Sequence, residues 1–350
     1  MTQPEIVLRD RTVARTQTVA EDAEAQKAEG DARAFWTVAP GVGEIRCEAL
    51  PAPGPGDVVV RALYSGISRG TEALVFQGRV PPSEYQRMRA PFQAGDWPGA
   101  VKYGYANVGM VERGPADLIG CGVFALFPHQ SRYVLPATVV HSLPAGVPAS
   151  RAVLAANMET AVNGVWDAEP RQTDRVTVIG AGAVGCLVAY VAARTVGCEV
   201  ELVDQNPARE PIAHALRVRF ALPDTAVPGA PIVIHASGSP AGLERALALA
   251  AFEGLILEMS WYGNRRVPLP LGEAFHSGRL TIKSSQVGHV ARPQRGRYDH
   301  RARMQVALSL LDDPALDVLI TGESPFEDLP QVMTQLADGA ADGICHRIRY

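Results

Sequence analysis

Residues 35–148 alternate short apolar runs with Pro and Gly. DVVVRALY, VGMVERG, GVFALF and RYVLPATVV are each about the length of a strand and end among turn residues, the pattern of a twisted antiparallel barrel. From there the period changes. In DRVTVIGAGAVGCLVAYVAARTVGCEVELVDQ, residues 174–179 read as a buried strand and a glycine-rich turn follows; Val184, Leu187, Val188 and Val191 recur at helical spacing, and CEVELVD reads as a second strand. That is a βαβ unit. PIVIHASG, GLILEMSW and RLTIKSSQ continue the series, with helical spacing in AGLERALALAAF between the first two, so the pattern predicts a doubly wound parallel sheet. After residue 288 the chain turns polar, shows one more helical pattern over 304–311, and closes on VLITGESPFEDLPQVMTQLADG and a strand-like CHRIRY. The fold class is α/β, in two domains without an internal repeat.

Residues 1–34 follow neither pattern. They contain no aromatic residue and are rich in Ala, Glu, Asp and Arg, which predicts an appended arm over 1–34 with little to contribute to a core. No apolar leader segment and no apolar run long enough for a membrane helix is present.

Composition narrows the partners. A formal net charge of −4, with scattered arginines, offers no basic field for a phosphate backbone, so neither nucleic acid nor a membrane is an expected partner. The five cysteines form an odd count without a C-x-x-C pair and read as reduced thiols of a cytoplasmic protein. Among the 33 basic residues only Lys27, Lys102 and Lys283 are lysines, which draws attention to each.

The glycine-rich turn carries the first chemistry. Gly180, Gly182 and Gly185 form G-x-G-x-x-G between a strand and a helix, where glycine permits a tight turn and close approach of a pyrophosphate to the helix N-terminus. Asp204 ends the second strand, where a carboxylate accepts ribose hydroxyls and repels a 2′-phosphate, favouring NAD over NADP. Arg209, just beyond, flanks the adenosine or caps a solvated helix end.

A barrel, then a nucleotide-binding sheet, then a returning C-terminal piece resembles the medium-chain dehydrogenase/reductase family. The resemblance rests on PGPGDVVVRALYSGIS, GYANVGMVERG, VTVIGAGAVG with Asp204, IVIHASGSP and SGRLTIKSSQVG, and SGIS-x-GTE resembles the branch of bacteriochlorophyllide dehydrogenases. It implies a GroES-like catalytic domain over 35–158 and 287–350, a Rossmann domain over 159–286, and a homodimer or homotetramer. Implied cofactor contacts are Gly180, Gly182, Ala183, Val184, Gly185, Asp204, Arg209, Ser237, Gly238 and Ser260.

Zinc-binding members of the family carry Cys where Ser68 stands, His-Glu where Tyr105 and Ala106 stand, and Cys or Glu near Asn157. A serine or tyrosine hydroxyl stays protonated near neutral pH and replaces none of these ligands. The lobe for a structural zinc is missing at VFALFPHQSRYVLP. The resemblance therefore implies a zinc-independent enzyme, with Glu159 and His129 left as an unusual pair of possible ligands.

Without zinc, hydroxyl donors and a cation must serve the reacting oxygen. The expected catalytic set is Tyr105 supported by Lys102, with Thr71 and Ser68; Glu72, His129 and Gln130 lie nearby in sequence. In this reading Tyr105 points into the cleft and the Lys102 ammonium lowers its pKa. The competing reading makes the tyrosines packing aromatics, Ser68 and Thr71 turn residues, Lys102 a surface cation, and His141 part of the barrel surface. The leading function is NAD(H)-dependent hydride transfer on an alcohol/carbonyl pair of a small molecule. The alternatives are a quinone or enoyl reductase and a non-catalytic nucleotide-binding protein.

Overall fold

A computed structural model describes residues 31–340 and 342–350. The expected arm therefore lies, over residues 1–30, outside the described residues. Its last residues do not behave as an arm: Asp31–Ala39 form strand β1, paired antiparallel to β2 (Val42–Ala49). Ala32 and Ala34 are fully buried, so small side chains without aromatic character were enough to join a core.

Strands β3 (Asp57–Ile67), β4 (Asn107–Arg113), β5 (Gly122–Ala125), β6 (Arg132–Pro136) and β7 (His141–Ser142) build the barrel. Alternate residues point inward, and Val58, Val60, Val111, Val123, Tyr133 and Leu135 form its core. The SRGTE segment, where one reading made Ser68 and Thr71 turn residues, is helical from Arg69 onward, as the start of the helix Arg69–Phe76.

The second sheet is built from β8 (Arg175–Ile179), β9 (Glu199–Val203), β10 (Arg219–Ala221), β11 (Ala230–His235), β12 (Ala250–Glu258) and β13 (Thr281–Ser284). Its order is β10-β9-β8-β11-β12-β13, parallel throughout. The order reverses between β8 and β11, and the strand C-termini flanking such a point open a crevice. Short β10 was not legible in the apolar pattern.

The chain then returns. The helix His300–Leu310 begins four residues before the expected one, because Asp299 caps it by accepting the Ala302 N–H at 2.7 Å. Strands β14 (Ile320–Pro325) and β15 (Cys345–Arg349) pair with each other, and β15 lies antiparallel to β3, giving the order β14-β15-β3-β4-β5-β7 with β6 also on β3. Arg303, 1% exposed, fastens this return: it donates to Glu159 Oε1 (3.1 Å) and Asn163 Oδ1 (2.6 Å) on the helix Ala155–Ala168, and to the carbonyls of Val287 and His289 (2.6 and 3.1 Å). A buried guanidinium needs this full set of acceptors.

Candidate functional site

A cleft of about 590 Å³ opens at the reversal point of the parallel sheet. One wall comes from the parallel-sheet domain and includes Gly180, Gly182, Ala183, Val184, Asp204, Arg209, Ser237, Gly238 and Ser260; the other carries Ser68, Thr71 and Asn157. Nine of the ten residues expected at the cofactor thus line one cavity. The exception, Gly185, is out of reach for a good reason: a Cβ there would stand 1.8 Å from the Gly180 carbonyl oxygen. It lets the helix Ala183–Val191 pack on its strand. Gly182 is the opposite case, with no atom within 4 Å of a Cβ position, so the space beside its backbone is open cleft.

Asp204 is held by two backbone donors, Ala181 N–H at 2.6 Å and Asn206 N–H at 2.9 Å. Each carboxylate oxygen retains acceptor capacity. Arg209 is not a solvated helix end. It is buried and ion-paired with Asp342 of the C-terminal segment.

The three positions compared above with zinc ligands come together. Ser68 Oγ donates to Asn157 Oδ1 at 3.3 Å, and the side chains of Ser68 and Thr71 lie near enough to the Tyr105 hydroxyl to oppose the rise in its pKa. Tyr105 itself is not on the cleft wall, contrary to the expectation that it points into the cleft. Its ring packs edge-on against Tyr103, centroids 6.0 Å apart, while the neighbouring Ser68 and Thr71 line the cleft. Burial, reinforced by the nearby Glu72 charge, pushes its pKa up to about 12. Lys102 does not lower it. The ammonium is buried against Glu48 Oε2 (2.6 Å) and Gln130 Oε1 (2.7 Å), over the ring of Trp36, so it is neither a surface cation nor a partner of Tyr105.

The paired His129 and Glu159 are also separate. His129 Nε2 lies 2.8 Å from Glu72 Oε2 and its Nδ1 lies 2.7 Å from Ser65 Oγ, while Glu159 serves Arg303. Glu72 in turn accepts the Ser68 N–H at 2.7 Å, so the buried Glu72–His129 pair fixes the backbone of the helix start. No group of three or more His, Cys, Asp or Glu residues able to hold a metal occurs among the described residues. His141 is half-buried rather than on the surface, and burial, then the Arg301 charge, lowers its pKa to about 4.

Burial also raises Tyr103 well above an ordinary phenol. The folded protein thus retains phenolic protons that an unfolded chain loses near pH ~10. This contribution to stability is whole below that pH and is lost as the pH rises toward about 12, the Tyr105 value. In a titration by ultraviolet phenolate absorbance, some of the 9 tyrosines should ionise only with unfolding; all of them ionising near pH ~10 with the fold intact would contradict the assignment.

No family model matches the chain. It is 25% identical over 316 residues to D-guloside 3-dehydrogenase of Escherichia coli K12, covering 81% of this chain and 89% of that protein. It is 32% identical over 173 residues to 2-desacetyl-2-hydroxyethyl bacteriochlorophyllide A dehydrogenase of Rhodobacter capsulatus, covering 46% of this chain and about half (52%) of that relative's length. Among solved structures, an Escherichia coli CFT073 alcohol dehydrogenase complexed with NADH matches with a TM-score of 0.71 at 16% identity, covering 92% of this chain and all of the other. A Sinorhizobium meliloti 1021 dehydrogenase bound to NADP matches with a TM-score of 0.72 at 14% identity, covering 91% and 99%. In fold and in motif, the chain is similar to dehydrogenases of the alcohol dehydrogenase-like kind.

Sequence reasoning missed the cluster of buried His235 with half-buried Glu258 and Tyr262 behind Ser237 and Ser260. These residues lie far apart in sequence, and the available signal was only that a strand, IVIH, ends on a histidine. Among the described residues no helix is long and apolar enough to cross a membrane.

Proposed function

We propose that this chain is a zinc-independent, NAD(H)-dependent oxidoreductase acting on an alcohol/carbonyl pair of a small molecule. The observation that carries the reading is the meeting of Ser68, Asn157 and Tyr105 beside a cleft whose opposite wall bears the glycine-rich turn and Asp204. Two hydroxyls and a carboxamide are neutral oxygen donors, and with Tyr105 raised to about 12 none offers the thiolate, imidazole or carboxylate that zinc requires. Zinc does not fit this donor set. A nicotinamide cofactor does fit, with its pyrophosphate at Gly182 and the helix N-terminus and its ribose hydroxyls at Asp204. When bound, that cofactor supplies or accepts the hydride. The cleft-lining hydroxyls of Ser68 and Thr71 then hold the substrate oxygen, and Asn157 and Tyr105 orient them.

The pairing of Arg209 with Asp342 supports NAD over NADP, because a neutralised arginine has little to offer a 2′-phosphate. The reading keeps the domain division at 35–158 with 287–350 and at 159–286, in a cytoplasmic homo-oligomer.

A panel of alcohols and aldehydes assayed with NAD and NADP, with metal content measured on the same sample, tests the reading. Expected are NAD-linked turnover, far less than one zinc per chain, and a melting curve unchanged by a chelator. One tightly held zinc per chain, or cofactor binding without any turnover, would overturn it. Asp204→Ala should weaken NAD binding and narrow the gap between the two cofactors in calorimetry; equal wild-type affinities for both would contradict the role given to Asp204.

A further inference from the structure

We propose that Ser237 is an activated nucleophile, held in a serine–histidine–glutamate relay at the cleft, and that the cofactor-free protein transfers an acyl or phosphonyl group to it from a small activated ester. This does not rest on the hydride-transfer reading. Register places His235, the last residue of β11, beside Glu258, the last residue of β12. His235 is fully buried, with Nδ1 at 2.8 and 3.0 Å from the two Glu258 oxygens and Nε2 at 2.6 Å from Ser237 Oγ. Ser237 is exposed and lines the cleft.

The proton positions follow from the donor inventory. As a carboxylate Glu258 only accepts, and besides His235 it takes the Ser260 N–H at 2.7 Å and the Tyr262 hydroxyl at 3.0 Å. His235 must therefore carry its proton on Nδ1, leaving Nε2 as the acceptor. Ser237 then donates its hydroxyl proton inward, and its oxygen accepts the Ser239 N–H at 3.2 Å with one lone pair left for a substrate. A nucleophile hydrogen-bonded to a base that a third group orients is the general arrangement of activated serines, and it recurs on unrelated folds. Gly242 makes room for it: a Cβ there would lie 2.4 Å from Ser237 Oγ and 2.8 Å from His235 Nε2. Ala241 and Gly242, in the first turn of the helix Pro240–Leu249, also line the cleft, and first-turn amides have no intrahelical acceptor.

In the step, the Ser237 Oγ–acyl bond forms as its proton passes to His235 Nε2, the bond to the leaving alkoxide breaks, and that alkoxide takes the proton. Water repeats the cycle and releases the acid. With a fluorophosphonate the Oγ–P bond forms, P–F breaks, fluoride leaves, and the serine proton reaches solvent through His235.

The test incubates the full chain, without cofactor, with a fluorophosphonate probe and locates the adduct by peptide mass spectrometry. One label on Ser237 is expected, absent in Ser237→Ala and formed about 100-fold more slowly in His235→Gln and Glu258→Gln, the low end of what a general base contributes. Melting curves establish that each variant is folded. If buried His235→Gln fails to fold, Glu258→Gln, which preserves shape, carries the comparison. An unlabelled Ser237 in the folded wild type, or labelling of Glu258→Gln at the wild-type rate, overturns the proposal.

Discussion

Gly182→Val is expected to abolish NAD binding while leaving the protein folded. Gly182 has φ −79° and ψ −177°, extended backbone that any residue adopts, and its Cβ position meets nothing within 4 Å. A valine there costs the fold little. Its two methyl groups would instead occupy the space beside the N-terminus of the helix Ala183–Val191, where a pyrophosphate must approach the backbone amides. Calorimetry should show affinity weakened by at least about 100-fold, roughly 2.7 kcal/mol, with a melting temperature near wild type. Gly185→Val is the contrasting control. Its Cβ would strike the Gly180 carbonyl oxygen at 1.8 Å, and the protein should lose stability. Wild-type NAD affinity in folded Gly182→Val would sink the placement of the pyrophosphate.

Thr71→Val is expected to lower turnover by about 10² to 10³, the range for removing one preorganised donor at a reacting oxygen, with NAD affinity unchanged. The substitution preserves shape and β-branching, so the helix Arg69–Phe76 should persist. Thr71 lines the cleft, whereas Tyr105 stands behind the wall, close to Ser68 and Thr71. Tyr105→Phe should therefore cost less, about tenfold, the scale of one lost hydrogen bond. Single-turnover kinetics distinguish the two roles. A Tyr105→Phe variant slower than Thr71→Val would make the phenol, raised to about 12 and therefore a neutral donor near pH ~7, the group that touches substrate.

The alternation of apolar runs and the G-x-G-x-x-G turn by themselves determined the barrel strands, the parallel sheet and the glycine-rich wall of the cleft. These signals are local: strand period, helical spacing and a turn chemistry that each need only a few neighbouring residues. The sequence also marked Ser68, Tyr105 and Asn157 as altered together, though it took the fold to bring Asn157, 89 positions from Ser68, within hydrogen-bond reach.

Charge partners were another matter. Lys102 answers to Glu48, Arg209 to Asp342, Glu159 to Arg303 and His129 to Glu72, and each partner lies on a different element. A buried charge must find an opposite one wherever the packing places it. Its sequence neighbours therefore say little about what it does. Only the tertiary structure could turn Lys102 away from Tyr105, divide the His129 and Glu159 pair, and set His235 between Ser237 and Glu258.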